Sequence, residues 1–130
     1  MRFTGTLSFE NQARKKRRGE KDLSEKFKII NLIHDEFGLF GLTGEVIPIP
    51  ESYWHRMPDI VIPQRNIVIE LDGEIHGNGD AVSKREDDIQ RDLDYPKAGF
   101  KLIIINKQET NGYQKEKVLE VLEKNGLTKQ

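Results

Sequence analysis

The chain has 130 residues, 35% hydrophobic and 33% charged, with a formal net charge of −1 and no cysteine. That length suits one domain built on a single core and leaves little for a second, and the composition is that of a folded protein rather than a disordered one. Disulfides and thiolate metal sites are excluded, no apolar run nears the roughly 20 residues that cross a bilayer, and the first residues lack the apolar core of a signal peptide. An intracellular protein with no membrane partner is therefore expected.

Arg14, Lys15, Lys16, Arg17 and Arg18 are consecutive cations in a segment with little apolar periodicity. Residues 1–21 read as a basic, flexible arm ahead of a folded domain over 22–130. Such an arm suits sequence-independent DNA binding through counterion release; a solvated tail is its plain alternative. Leu23, Phe27, Ile30, Ile33 or His34, and Phe37 then recur at helical spacing. Asp22 can cap, Glu25 stands at the third position, and glycines follow at 38, 41 and 44, which predicts a helix over 22–37.

Residues 46–50 (VIPIP) are extended, but their prolines cannot donate to a ladder and push them to a sheet edge. Residues 58–62 and 67–72 are rich in β-branched side chains and flank PQRN, which predicts a hairpin with a four-residue turn. From about 83 to 97 a charged segment carries a thin apolar stripe of Val82, Ile89 and Leu93, read as a helix. Residues 100–105 form a near-continuous apolar run, expected as a central strand covered on both faces. Val118, Val121 and Leu122 mark a terminal helix ending near Asn125 and Gly126. This order predicts one α/β domain, a mixed central β-sheet with flanking helices.

A symmetric turn centred between Gln64 and Arg65 pairs Ile60 with Ile69 and sets Asp59 opposite Glu70. Ile60, Ile62, Ile67, Ile69 and Leu71 then share one face, and Val61, Val68, Asp59, Glu70 and Asp72 the other. A one-residue slip would mix the two sets, so the pattern supports this register. Opposed like charges repel. A divalent cation held by the carboxylates, the Leu71 carbonyl and water would offset the repulsion; so would a shared proton, or ion pairs to Arg56, Arg91 or Lys101. With only oxygen and imidazole donors available, Mg²⁺ or Mn²⁺ is the expected ion.

Pro58-Asp59, then Glu70-Leu71-Asp72-Gly73 and His76, together resemble the PD-(D/E)XK nuclease superfamily, especially its branch similar to very-short-patch-repair endonucleases. Glu25 on the first helix, Asp88-Ile89-Gln90-Arg91 and Gly99-Phe100-Lys101-Leu102 match further elements of that branch, so the resemblance covers about residues 22–106. It implies a restriction-endonuclease-like fold. It also implies a Mg²⁺-dependent DNA endonuclease of repair or junction-resolving type, hydrolysing phosphodiester bonds on structured, branched or mismatched DNA. Asp59, Glu70 and the Leu71 carbonyl would hold the metal, with Glu25 facing them. The superfamily's usual lysine, two residues after the glutamate, is here Asp72, which would add a metal oxygen while Lys101, His76 or Arg91 supplies the missing positive charge or proton transfer.

Each residue also has a plainer reading. Glu25 suits a capping position, His76 can simply order its turn, and Asp88 with Arg91 can form a surface pair. Trp54 and Arg56 precede the acidic strand and suit stacking on an unpaired base and contact with DNA, or Trp54 plugs the core. Resolving a junction would take a homodimer with two sites; a monomer would nick. The absent lysine leaves a second reading open, a catalytically inactive nucleic-acid-binding module on the same scaffold.

Overall fold

The computed structural model describes residues 23–73 and 81–130. In chain order these form α1 (Leu23–Phe37), β1 (Ile47–Pro48), β2 (His55–Arg56), β3 (Ile60–Ile62), a 3-10 turn (Pro63–Arg65), β4 (Ile67–Asp72), α2 (Ala81–Lys97), β5 (Lys101–Asn106) and α3 (Lys115–Lys124). The described residues thus make a small mixed α/β domain of three α-helices and two sheets. None of these helices is long and apolar enough to cross a membrane.

The hairpin has the register its side-chain pattern requires: Ile60 pairs with Ile69, Val61 with Val68 and Ile62 with Ile67. Pro63 opens the 3-10 turn, and Asn66 closes it in the left-handed region (φ 53°, ψ 49°), which asparagine tolerates better than most residues. β4 then pairs in parallel with β5, from Ile67 opposite Lys101 to Asp72 opposite Asn106. A parallel pair needs a long crossover, and α2 supplies it. Gly99, at φ 89°, ends that helix, and the Phe100 N–H closes back on the Tyr95 carbonyl at 2.9 Å, aiming the chain into β5.

The sheet separates two apolar clusters. Ile60, Ile62, Ile67, Ile69, Leu71, Ile103 and Ile105 face α1 and α3, meeting Ile29, Ile33, Phe37, Val118 and Leu122. Val61 and Val68 face the other way, onto Tyr95 of α2, Ile47 of β1 and Ile49 just after it. Each fully buried aliphatic side chain contributes about 1.5–3 kcal/mol, so the face assignment is strongly fixed.

Three expectations need correction. Among the described residues the apolar run of β5 is not central: the strand order is β3-β4-β5, so β4 is the middle strand and Ile104 of β5 keeps 38% of its surface exposed. Side chains report which faces are covered, whereas lateral neighbours are chosen by backbone hydrogen bonds that carry no side-chain signature. The 46–50 segment does not join the main sheet as an edge. Its β1 pairs antiparallel with β2, an unpredicted strand, as a separate two-stranded sheet. Finally, the buried stripe of α1 is Leu23, Lys26, Ile29, Ile33 and Phe37, while Phe27 is exposed. The stripe is rotated from the one read through Phe27, and it contains a lysine.

Candidate functional site

Parallel pairing of β4 with β5 and antiparallel pairing with β3 bring the end of β4, the end of β5 and the start of β3 to one edge of the domain. Pro58 has no N–H to give, and the Asp59 N–H goes to Glu70 Oε1 at 3.3 Å, so the β3 ladder begins only at Ile60. Where it stops, Asp59 Oδ2 accepts the Leu71 N–H at 2.7 Å. The side chain thus takes over a strand-to-strand bond. Since Leu71 turns its N–H to this side, its carbonyl faces the same way. Asp59, Glu70 and the Leu71 backbone form one compact group.

The predicted trio reaches both helices beside this edge: Asp59 meets α1, whereas Glu70 and Asp72 meet α2 at two different residues. Asp59, 7% exposed, lies with Oδ1 3.3 Å from Nζ of Lys26 on α1, itself 8% exposed. Glu70 Oε2 accepts the Tyr95 hydroxyl from α2 at 2.8 Å. Asp72 Oδ1 accepts from Arg91 Nη1 at 3.2 Å, and its carbonyl accepts the Tyr113 hydroxyl at 3.4 Å. Glu25 lies 3.1 Å from Lys107, just beyond β5.

The electrostatics follow this arrangement. Burial, and then the charge of Glu70, which also accepts its hydrogen bond, push the Tyr95 hydroxyl far above the usual tyrosine range, so it stays a donor at any working pH. Tyr113 is likewise raised by burial and then by the charges of Glu25, Asp59 and Asp72. Burial opposes the Arg91 charge, but Asp72, Asp88 and Glu70 outweigh it and raise its pKa. Arg91 Nε is buried without a hydrogen-bond partner.

Beside this edge, Asp94 is fully buried and accepts from Gln90 at 2.8 Å, Arg56 at 2.9 Å and the Trp54 indole N–H at 3.0 Å. Burial raises its pKa, but the three donors outweigh that and hold it below the usual carboxylate range. Arg56 also meets Asp87 at 3.2 Å. With Trp54, His55, Asp87 and Gln90 it lines an open cavity of about 320 Å³. Trp54 is not a core plug, as 48% of its surface is exposed, and Tyr53 is fully exposed.

Comparisons with protein-family models, with curated proteins and with solved structures find no match.

Of the residues read from sequence, the fold thus gathers Glu25, Asp59, Glu70, Leu71, Asp72 and Arg91 at one edge, with Trp54 and Arg56 alongside. Lys101 is not brought there. It starts β5 opposite Ile67, about 16 Å of strand away from the Asp72 end, with Nζ on the Asn125 carbonyl. The distance removes Lys101 as the replacement for the missing strand lysine. His76 and the cations Arg14 to Arg18 lie outside the described residues. Sequence reasoning missed Lys26, Tyr95, Tyr113 and Lys107. For Lys26 a signal existed: spacings 23, 26, 29, 33 and 37 make a helical stripe that is apolar but for one residue.

Among the described residues no three His, Asp or Glu side chains are grouped to hold a metal by themselves. Asp72 in particular is turned to Arg91 rather than to the Asp59–Glu70 pair. The donor chemistry of the pair nonetheless suits Mg²⁺ or Mn²⁺. Hard carboxylate and carbonyl oxygens match these ions, and Mg²⁺ commonly binds one or two carboxylates and completes its shell with water and substrate phosphate.

Proposed function

We propose that this protein is a Mg²⁺- or Mn²⁺-dependent DNA endonuclease on a restriction-endonuclease-like scaffold, acting on structured, branched or mismatched DNA. One observation carries the reading: Asp59 and Glu70, eleven residues apart in sequence, are clasped through the 3.3 Å bond from the Asp59 N–H to Glu70 Oε1, with the Leu71 backbone turned to the same point. That grouping answers the Pro-Asp and Glu-x-Asp-Gly pattern that resembles the PD-(D/E)XK nucleases.

In this reading Asp59, Glu70 and the Leu71 carbonyl hold the ion. When bound, it supplies Lewis acidity at the scissile phosphate and an activated water. The chain's own groups prepare the position. Tyr95 pins one oxygen of Glu70 and so fixes its rotamer. Arg91 withdraws Asp72 and keeps a positive charge beside Glu70, which would help to meet phosphate charge. The exposed Trp54 ring, anchored through its N–H on Asp94, offers a stacking surface for an unpaired base. A cleavage panel of duplex, nicked, mismatched and four-way DNA with Mg²⁺ or Mn²⁺ tests this: cleavage should appear and vanish in Asp59→Ala and Glu70→Ala. Full activity in either variant would refute it. Sizing with and without junction DNA decides between a homodimer and a nicking monomer.

A second reading is favoured by a specific observation. The position of the usual lysine is Asp72, already neutralised by Arg91 at 3.2 Å. A catalytically silent module would bind DNA with strong salt dependence and cut nothing with any divalent ion.

A further inference from the structure

Lys26 sits on the buried stripe of α1 between Leu23 and Ile29. Its neighbours on that stripe are apolar, and a lysine this deep is rare unless paired. Removing an ammonium from water is costly, and attraction to a partner offsets the cost only when the geometry is good. Here the partner is Asp59 Oδ1 at 3.3 Å, in a contact where both side chains are about nine-tenths buried. The other oxygen, Oδ2, is engaged by the Leu71 N–H. Among the contacts of the described residues, Oδ1 is the oxygen that meets a charge and Oδ2 the one that meets the sheet.

Resting on the proposed metal site, we infer that Lys26 is a resident cation at Asp59 and competes with the divalent ion for its Oδ1. An ammonium and a divalent cation cannot share that oxygen in a buried setting, because two positive charges a few ångströms apart repel strongly where the dielectric is low. Ion entry therefore releases Lys26 from Asp59, and Lys26 sets the concentration at which the site fills. The lysine reaches the acids from helix α1, not from the acidic strand. Its charge serves to offset that of Asp59 when no metal is bound.

The test compares Mn²⁺ binding by the full chain in wild type, Lys26→Met and Lys26→Arg, using the electron paramagnetic resonance signal of free Mn²⁺. Methionine fits an apolar stripe, and circular dichroism reports whether the variant folds. Lys26→Met should bind Mn²⁺ at least about tenfold more tightly than wild type, Lys26→Arg should stay near wild type, and Asp59→Asn in the Lys26→Met background should cancel the gain. A second measurement needs no variant: acetylation of Lys26 in the wild type, read by mass spectrometry, should accelerate when Mn²⁺ is saturating. Unchanged Mn²⁺ affinity in a folded Lys26→Met, or Lys26 acetylation indifferent to Mn²⁺, overturns the inference and leaves the nuclease reading intact. Tighter binding in Lys26→Met together with no cleavage of any DNA sustains the inference and overturns the nuclease. No Mn²⁺ binding by either protein overturns both.

Discussion

The hydroxyl of Tyr95 donates to Glu70 Oε2 at 2.8 Å, joining the end of α2 to the middle strand of the sheet. Tyr95 is wholly buried and its hydroxyl is held protonated by burial and by the Glu70 charge. The bond therefore persists across the working pH range and orients a carboxylate that its position on β4 alone would leave freer to rotate.

Removing that hydroxyl tests its role. Tyr95→Phe should lower stability by roughly 1.5–3 kcal/mol, as expected for a buried hydrogen bond to a charged acceptor. Urea denaturation measures this, and a loss under about 0.5 kcal/mol would show that Glu70 is held in place by other partners.

Asp94 predicts a pH dependence with a definite sign. Its folded pKa is depressed, so its contribution is present above the unfolded value near 3.9 and is lost as pH falls through the lower folded value. Asp94→Asn should cost roughly 2–4 kcal/mol near neutrality, because Arg56 loses its buried counter-charge. It should also flatten the decline of wild-type stability below about pH 4. Urea midpoints between pH 2 and 6 check both; parallel profiles for the two proteins would contradict the assignment.

Trp54 is the sole tryptophan, so intrinsic fluorescence reports on its surroundings alone. Single-stranded or mismatched DNA should quench it, and the affinity should fall steeply with added salt. Trp54→Ala should weaken binding by about 1–3 kcal/mol, the usual worth of one base–aromatic stack. Unquenched fluorescence under conditions where DNA demonstrably binds would place the interface elsewhere.

Asp59 and Asp72 should separate in metal titrations. Because Arg91 holds Asp72 and the Leu71 N–H holds Asp59 beside Glu70, Asp59→Asn should abolish Mn²⁺ binding while Asp72→Asn changes it by less than about threefold, under 1 kcal/mol. Equal losses in both variants would mean that Asp72 leaves Arg91 to join the metal.

Much of the fold was legible because burial leaves a periodic trace. Strict alternation in the hairpin set its register and faces, and the succession of strands and helices indicated a mixed sheet; which strand pairs in parallel came from the structure. The strand order was not legible, since a central and an edge strand can carry the same apolar run. Nor was β2, whose two residues, His55 and Arg56, are too few and too polar to show a period.

The site divides along the same line. Sequence alone determined that Asp59 and Glu70 meet, because side-chain alternation and turn symmetry are local properties of one hairpin. Only tertiary structure decided the cations: Arg91 for Asp72, Lys107 for Glu25, and Lys26 for Asp59 in place of the distant Lys101. An ion pair between separate elements depends on how helices dock, and docking is set by the summed fit of a whole apolar face. The same docking, which buries Leu23, Ile29, Ile33 and Phe37 together, leaves Lys26 on the buried stripe and Phe27 exposed.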